Sequence, residues 1–90
     1  MPHRKYPRGH VTAVGQRLYE QLIRKIVETE DNIGRIVSID IDSGDYTIGD
    51  DAIASARLLL ARRPDAAIYG ARIGYDAMFA VGGTLHRTAS

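Results

Sequence analysis

RIVSIDIDSGDYTIG, running from Arg35 to Gly49, is the stretch whose reading decides the fold. Val37, Ile39 and Ile41 alternate with Ser38, Asp40 and Asp42, the period of a strand that buries one face. Asp42-Ser43-Gly44-Asp45 then supplies turn chemistry, because Gly44 can take φ > 0 at no steric cost. A two-residue loop of Ser43-Gly44 predicts Asp42 opposite Asp45, Ile41 opposite Tyr46, Ile39 opposite Ile48 and Asp40 opposite Thr47. A slip of one residue would turn the apolar set of the second strand to solvent, so the pattern specifies the pairing. An isolated hairpin is marginal in water, and the face formed by Val37, Ile39, Ile41, Tyr46 and Ile48 needs cover.

The flanking segments supply that cover. Upstream, Thr12 is placed to cap a helix running to about Glu30. Val14, Leu18, Leu22 and Ile26 recur every four residues, with Tyr19, Ile23 and Val27 alongside, opposite Arg17, Glu20, Gln21, Arg24 and Glu28. Asn32-Ile33-Gly34 reads as its stop. Downstream, Asp50 or Asp51 caps a second helix from about Ala52 to Arg63, ended by Pro64 and contributing Ile53, Ala56, Leu59 and Leu60. Ala66 to Ile73 reads as a third strand, with Ala67, Tyr69, Ala71 and Ile73 on one face and Ile68, Gly70 and Arg72 on the other. Gly74-Tyr75-Asp76 is a turn, and Ala77 to Val81 a fourth strand closing at Gly82-Gly83. The expected class is α+β in the order α-β-β-α-β-β, an antiparallel sheet of about four strands with two helices packed on one face. Residues 1–11 read as a flexible basic arm, 12–83 as a single domain and 84–90 as a C-terminal tail.

Ninety residues provide one core and leave no room for a second. A domain of this size buries little more than ~60% of its unfolded surface, which favours a dimer or a bound partner. The absence of cysteine excludes a disulfide framework, a thiolate zinc site and a thiol nucleophile. No stretch approaches the ~20 apolar residues of a membrane span, and the polar start lacks the apolar region of a secretory signal. A cytoplasmic location is therefore expected. The net charge of +1 conceals a segregation: residues 1–27 carry +5, residues 28–51 carry −7 and residues 52–90 carry +3. Such a division suits self-complementary packing or a basic contact surface, as well as ordinary solvated faces.

The motifs give no reactive constellation. Five aspartates between Asp40 and Asp51 invite comparison with a calcium loop, but Gly44 and Asp45 fall at its fifth and sixth positions, where that loop needs an acid and then a glycine. Asp42-Ser43-Gly44 resembles the signature of retropepsin-like aspartic proteases, yet Asp45 stands where a small residue belongs and the helical content is too high for that all-β fold. His3, His10 and His86 show no metal-ligand spacing. Ser38, Ser43 and Ser55 lie in no nucleophile motif. No helix follows Gly82-Gly83, so that pair is not a phosphate loop. Tyr46 and Tyr69 read as core residues rather than base-stacking platforms, while Tyr75 sits in a turn.

The run Gly34 to Asp51, followed by Ala61-Arg-Arg-Pro-Asp-Ala66, Arg72-Ile-Gly-Tyr-Asp-Ala77 and Gly82-Gly83, resembles a group of small uncharacterised bacterial proteins over residues 30–83. The resemblance implies a small cytoplasmic partner protein, antitoxin-like, and carries over no catalytic residue and no cofactor. The sequence therefore reads as a non-enzymatic protein-interaction module that binds a protein partner or a second copy of itself, with no catalytic, cofactor or metal site and no small-molecule substrate. Its expected contact surface is the sheet edges and outer sheet face around Asp40, Thr47, Ile68 and Arg72. The alternative is nucleic-acid binding through Arg4, Lys5, Arg8, Arg17, Arg24 and Lys25 on the arm and first helix. An aspartate-dependent hydrolase or metal-binding protein is the remote third reading.

Overall fold

The computed structural model describes residues 6, 7 and 9–75. The N-terminal helix starts at His10, ahead of the expected cap at Thr12. Gly9 occupies the cap position with φ 86°, a left-handed conformation, and the His10 N–H donates to the Pro7 carbonyl at 3.1 Å. Helix α1 (His10–Leu18) passes into a π turn (Tyr19–Ile23) and then α2 (Arg24–Val27), forming one rod. Its buried line is Gly15, Tyr19, Ile23 and Val27, spaced four apart. On an α-helix of 3.6 residues per turn such a line drifts by ~40° per step, and the wider π turn takes up the drift. The rod stops at Val27, short of Glu30: Glu28 leaves helical geometry and the Asn32 amide donates to the Val27 carbonyl at 3.1 Å.

Three strands follow: β1 (Ile36–Asp40), β2 (Tyr46–Gly49) and β3 (Ile68–Arg72), with helix α3 (Ala52–Arg62) between the last two. The sheet order is β2-β1-β3 and both pairings are antiparallel. Helix α3 has the expected start, with the Asp51 carboxylate accepting from the Ala54 N–H at 2.8 Å. The order α-β-β-α-β holds through β3; the fourth strand expected at Ala77 to Val81 and the tail at 84–90 lie outside the described residues.

The hairpin pairs Ile39 with Tyr46 and Val37 with Ile48, two residues away from the expected register. The loop is wider than Ser43-Gly44. Asp40 N–H donates to the Asp45 carbonyl and Gly44 N–H to the Asp40 carbonyl, both at 2.8 Å, enclosing Ile41 to Gly44. Ile41 instead continues the ladder to β3, donating to the Ala67 carbonyl at 3.1 Å. Because the shift is even, every side chain keeps its expected face.

The helices lie on opposite faces of the sheet, not on one. Val37, Ile39 and Ile41 pack with Tyr19, Ile23, Val27, Ala67, Tyr69, Ala71 and Ile73 beneath the N-terminal rod. The alternate residues of β1 and β2 face α3: Ser55 Oγ lies 2.7 Å from Ser38 Oγ and 3.1 Å from the Thr47 carbonyl, and Thr47 Oγ1 donates to the Ser55 carbonyl at 2.7 Å. All five residues of β1 are consequently buried. Two glycines set the spacing of the layers. A Cβ at Gly15 would lie 2.1 Å from Cγ of Tyr69, and one at Gly49 would lie 2.6 Å from the Ser55 nitrogen.

Candidate functional site

The hairpin turn gathers the acidic residues into a bonded cluster. Asp40 is 3% exposed, and its carboxylate accepts from the Ser43 hydroxyl at 2.8 Å, the Asp42 N–H at 3.2 Å and the Ala67 N–H at 3.3 Å. Asp45 accepts from Arg62 at 3.1 Å and from Arg63 at 3.3 Å, so the last turn of α3 is clasped to the hairpin. Tyr6 donates to Asp42 and stacks on His10 with ring centroids 4.6 Å apart, bringing the start of the chain to the same turn. Both oxygens of Asp40 are taken up by donors within the chain. Among the described residues no group of three His, Cys, Asp or Glu side chains is arranged to hold a metal ion. The turn is built as a structural clasp, in which a buried carboxylate is compensated by hydrogen bonds and a nearby arginine.

The same clasp closes one edge of the sheet. In β2 the main chain of Tyr46 points away from β1, as the Asp40–Asp45 bond fixes the alternation. Its N–H donates to the Asp45 carboxylate at 3.0 Å, and its carbonyl accepts from Arg62 at 3.4 Å. Charged side chains thus occupy the position a further strand would need. At the opposite edge, Ile41 and Ile73 donate to Ala67 and Arg35 across the β1–β3 ladder, which directs the N–H and carbonyl groups of Ile68, Gly70 and Arg72 outward.

The expected contact surface is rearranged by the position of α3. Asp40 is buried in the turn and Thr47 is bonded to α3, so the outer face of the sheet there is covered rather than bare. Ile68 and Arg72 are half-buried on β3, with the Arg72 guanidinium donating to the Gly34 carbonyl at 2.8 Å. Of the basic set, Arg4, Lys5 and Arg8 lie outside the described residues, while Arg17 and Lys25 are exposed. Arg24 is engaged on its own helix, 2.9 Å from Glu20 and 3.0 Å from Glu28. Burial pulls its pKa down, but the hydrogen bond to Glu28 and the charge of Glu20 outweigh that and leave it raised. Of the three described members of the set, Arg24 is thus paired with neighbours on its own helix, while Arg17 and Lys25 face solvent.

Two tyrosines are buried at this interface, Tyr19 on the rod and Tyr69 on β3 beneath it. Burial pushes Tyr69 up to about 12, with the charge of Glu20 and then Tyr19 adding to it. Burial likewise raises Tyr19, reinforced by Glu28. The Tyr19 hydroxyl sits beside the Gly74 main chain without a well-formed hydrogen bond.

Sequence reasoning placed Ile53 and Leu60 in the core, but the structure turns them outward. Ser55 and Leu59 are the buried residues of α3, whereas Ile53 is 67% exposed, and Leu58 and Leu60 are also exposed. Ile53, Arg57 and Leu60, at helical spacings of four and three, form an outer stripe with an arginine in it. Leu22 and Ile26 form a second exposed apolar pair on the N-terminal rod. The usable signal was the serine at 55: a helix whose one buried polar residue meets Ser38 must roll its isoleucine to the outside. No helix among the described residues is long and apolar enough to cross a membrane. No family model, curated protein or solved structure matches the chain.

Proposed function

We propose that this chain is a small non-enzymatic protein-binding module, an antitoxin-like partner protein of the cytoplasm, that engages its partner through the outward face of α3. The observation that carries the reading is the stripe of Ile53 and Leu60, with Leu58 on its flank, exposed on a helix whose other side is fully seated on the sheet. Apolar side chains with an arginine among them have the composition of an interface core. The stripe lies on a rigid element, clasped at Arg62 and Arg63 and capped at Asp51, so it is presented without further ordering cost.

The test is an Ile53→Glu/Leu60→Glu double variant compared with the parent by sedimentation and by affinity capture. Loss of self-association, or of a captured protein, at an unchanged melting temperature is the expected result. A parent that sediments as a monomer and retains nothing from a lysate of its own source would remove the reading.

A further inference from the structure

Resting on the reading of α3 as the contact face, we propose that its partner is a second copy of this chain, the two α3 helices packing antiparallel about a twofold axis. The order of residue types along the helix carries this. Ile53 and Leu60 stand equally far from the midpoint between Ala56 and Arg57, ~5 Å to either side at about 1.5 Å per residue. Seven residues apart, they differ in direction by only ~20°, so they share one side of the helix. Both are exposed, Ile53 at 67% and Leu60 at 40%. Just beyond the two ends of α3, Asp50 and Arg63 are again equally far from that midpoint, and both are exposed.

The apolar pair is thus symmetric about the midpoint, whereas the charged pair reverses sign across it. Two antiparallel copies need that combination. Ile53 of each copy falls at the level of Leu60 of the other, and Asp50 of each at the level of Arg63 of the other, so every contact occurs twice. Parallel copies would set Asp50 against Asp50 and Arg63 against Arg63. Ala56, at the crossing point, is small enough to let the axes approach. Arg57 beside it has the length to carry its charge out to solvent. The positive N-terminal end of each helix also lies beside the negative C-terminal end of the other. Within the chain Asp50 is 3.5 Å from Arg35 and Arg63 is 3.3 Å from Asp45, yet their side chains remain 85% and 48% exposed and open to a second charge.

The chain has no cysteine, so single cysteines introduced into the full chain report the geometry directly. Under mild oxidation, an equimolar mixture of Ile53→Cys and Leu60→Cys is expected to form a disulfide-linked dimer at least about tenfold faster than either variant alone, because facing positions come within the ~6 Å Cα separation that a disulfide needs. Sedimentation of the parent is expected to show a concentration-dependent dimer, and that of the Ile53→Glu/Leu60→Glu variant a monomer. A parent that stays monomeric into the millimolar range overturns the proposal. If that monomer still captures a different protein through Ile53 and Leu60, α3 remains the contact face and only its occupant changes. Fastest linkage of Ile53→Cys to itself means parallel copies and also overturns the proposal. A parent dimer that the glutamate variant leaves intact overturns both the pairing and the reading of α3 beneath it. If a variant fails to fold, isotope-filtered NMR on a mixture of labelled and unlabelled parent decides: absence of contacts between Ile53 of one copy and Leu60 of the other overturns the arrangement.

Discussion

Replacing Gly15 by alanine separates a helix that is merely near the sheet from one seated on it. On an exposed helix the change stabilises by about 1 kcal/mol, because alanine loses less backbone entropy than glycine. Here the added Cβ would meet Tyr69 at 2.1 Å from Cγ, 2.3 Å from Cβ and 2.6 Å from Cδ1. Carbon atoms rest ~3.5–4.0 Å apart, so rod and strand must separate by more than ~1 Å. The atoms struck are the root of the side chain rather than its far end, so no rotation about χ2 relieves the contact. Overpacking of this kind costs ~1–3 kcal/mol, which outweighs the gain in propensity. A contact this far inside van der Waals separation belongs to the upper part of that range, ~2–3 kcal/mol, so that after the propensity gain the net loss of ~1–2 kcal/mol corresponds to a fall in melting temperature of ~4–16 °C in a domain of this size. Thermal and urea unfolding followed by circular dichroism at constant concentration measures it directly. A Gly15→Ala protein that melts at or above the parent temperature would refute the close seating of α1 on Tyr69, since propensity alone would then have decided the sign.

Ser55→Ala removes the hydroxyl shared with Ser38 and the Thr47 carbonyl, leaving buried polar groups unmet at a cost of ~1–3 kcal/mol, read as a lowered urea midpoint. The Ser38→Ala/Ser55→Ala double variant should recover part of that loss, and a strictly additive double variant would show the two hydroxyls to be uncoupled. Tyr69 and Tyr19 are both held above the ordinary tyrosine value of 10.0, so the native state favours their protonated forms. Their contribution to stability is full below pH 10 and is lost as pH rises through their raised values, which for Tyr69 is about 12. Tyrosinate absorbance should therefore show a late-titrating class that ionises together with unfolding; complete ionisation at ordinary pH with the fold intact would contradict this.

How much of this was legible in the sequence depends on whether the deciding interaction was local. The faces of β1, β2 and β3 follow from alternation, and Asp51 and Pro64 bracket α3 as their chemistry requires. The hairpin register was missed because Asp40, read as a solvent-facing strand residue, folds its carboxylate onto the turn and onto Ala67, twenty-seven positions away. The side of the sheet taken by α3 was missed for a related reason. Ser38 and Thr47 look like an outer face when read along the strand, and only the meeting with Ser55 makes them interior. Small residues were the available clue: Gly49 and Ser55 permit an approach that larger residues would block. The outward stripe of α3 was hidden by the same error, since Ile53 and Leu60 were counted towards a core on the wrong side. The basic set was a count of charges, and a count does not show that Glu20 and Glu28 close on Arg24.

The π turn at Tyr19–Ile23 makes the rod a counting device. Each residue of an α-helix advances the azimuth by ~100°, and the turn absorbs a surplus that a regular helix would pass on as rotation. Over the three steps from Gly15 to Val27 that surplus is ~120°, close to the ~100° of a single residue. Deleting one residue there would therefore turn the π turn into regular α-helix and leave Gly15 on Tyr69 with Ile23 and Val27 still on the sheet. Inserting one residue would add a further ~100° and swing either Gly15 or the Ile23–Val27 end away from the sheet. The middle of the rod thus tolerates the loss of a residue far better than the gain of one, and helical propensity registers neither.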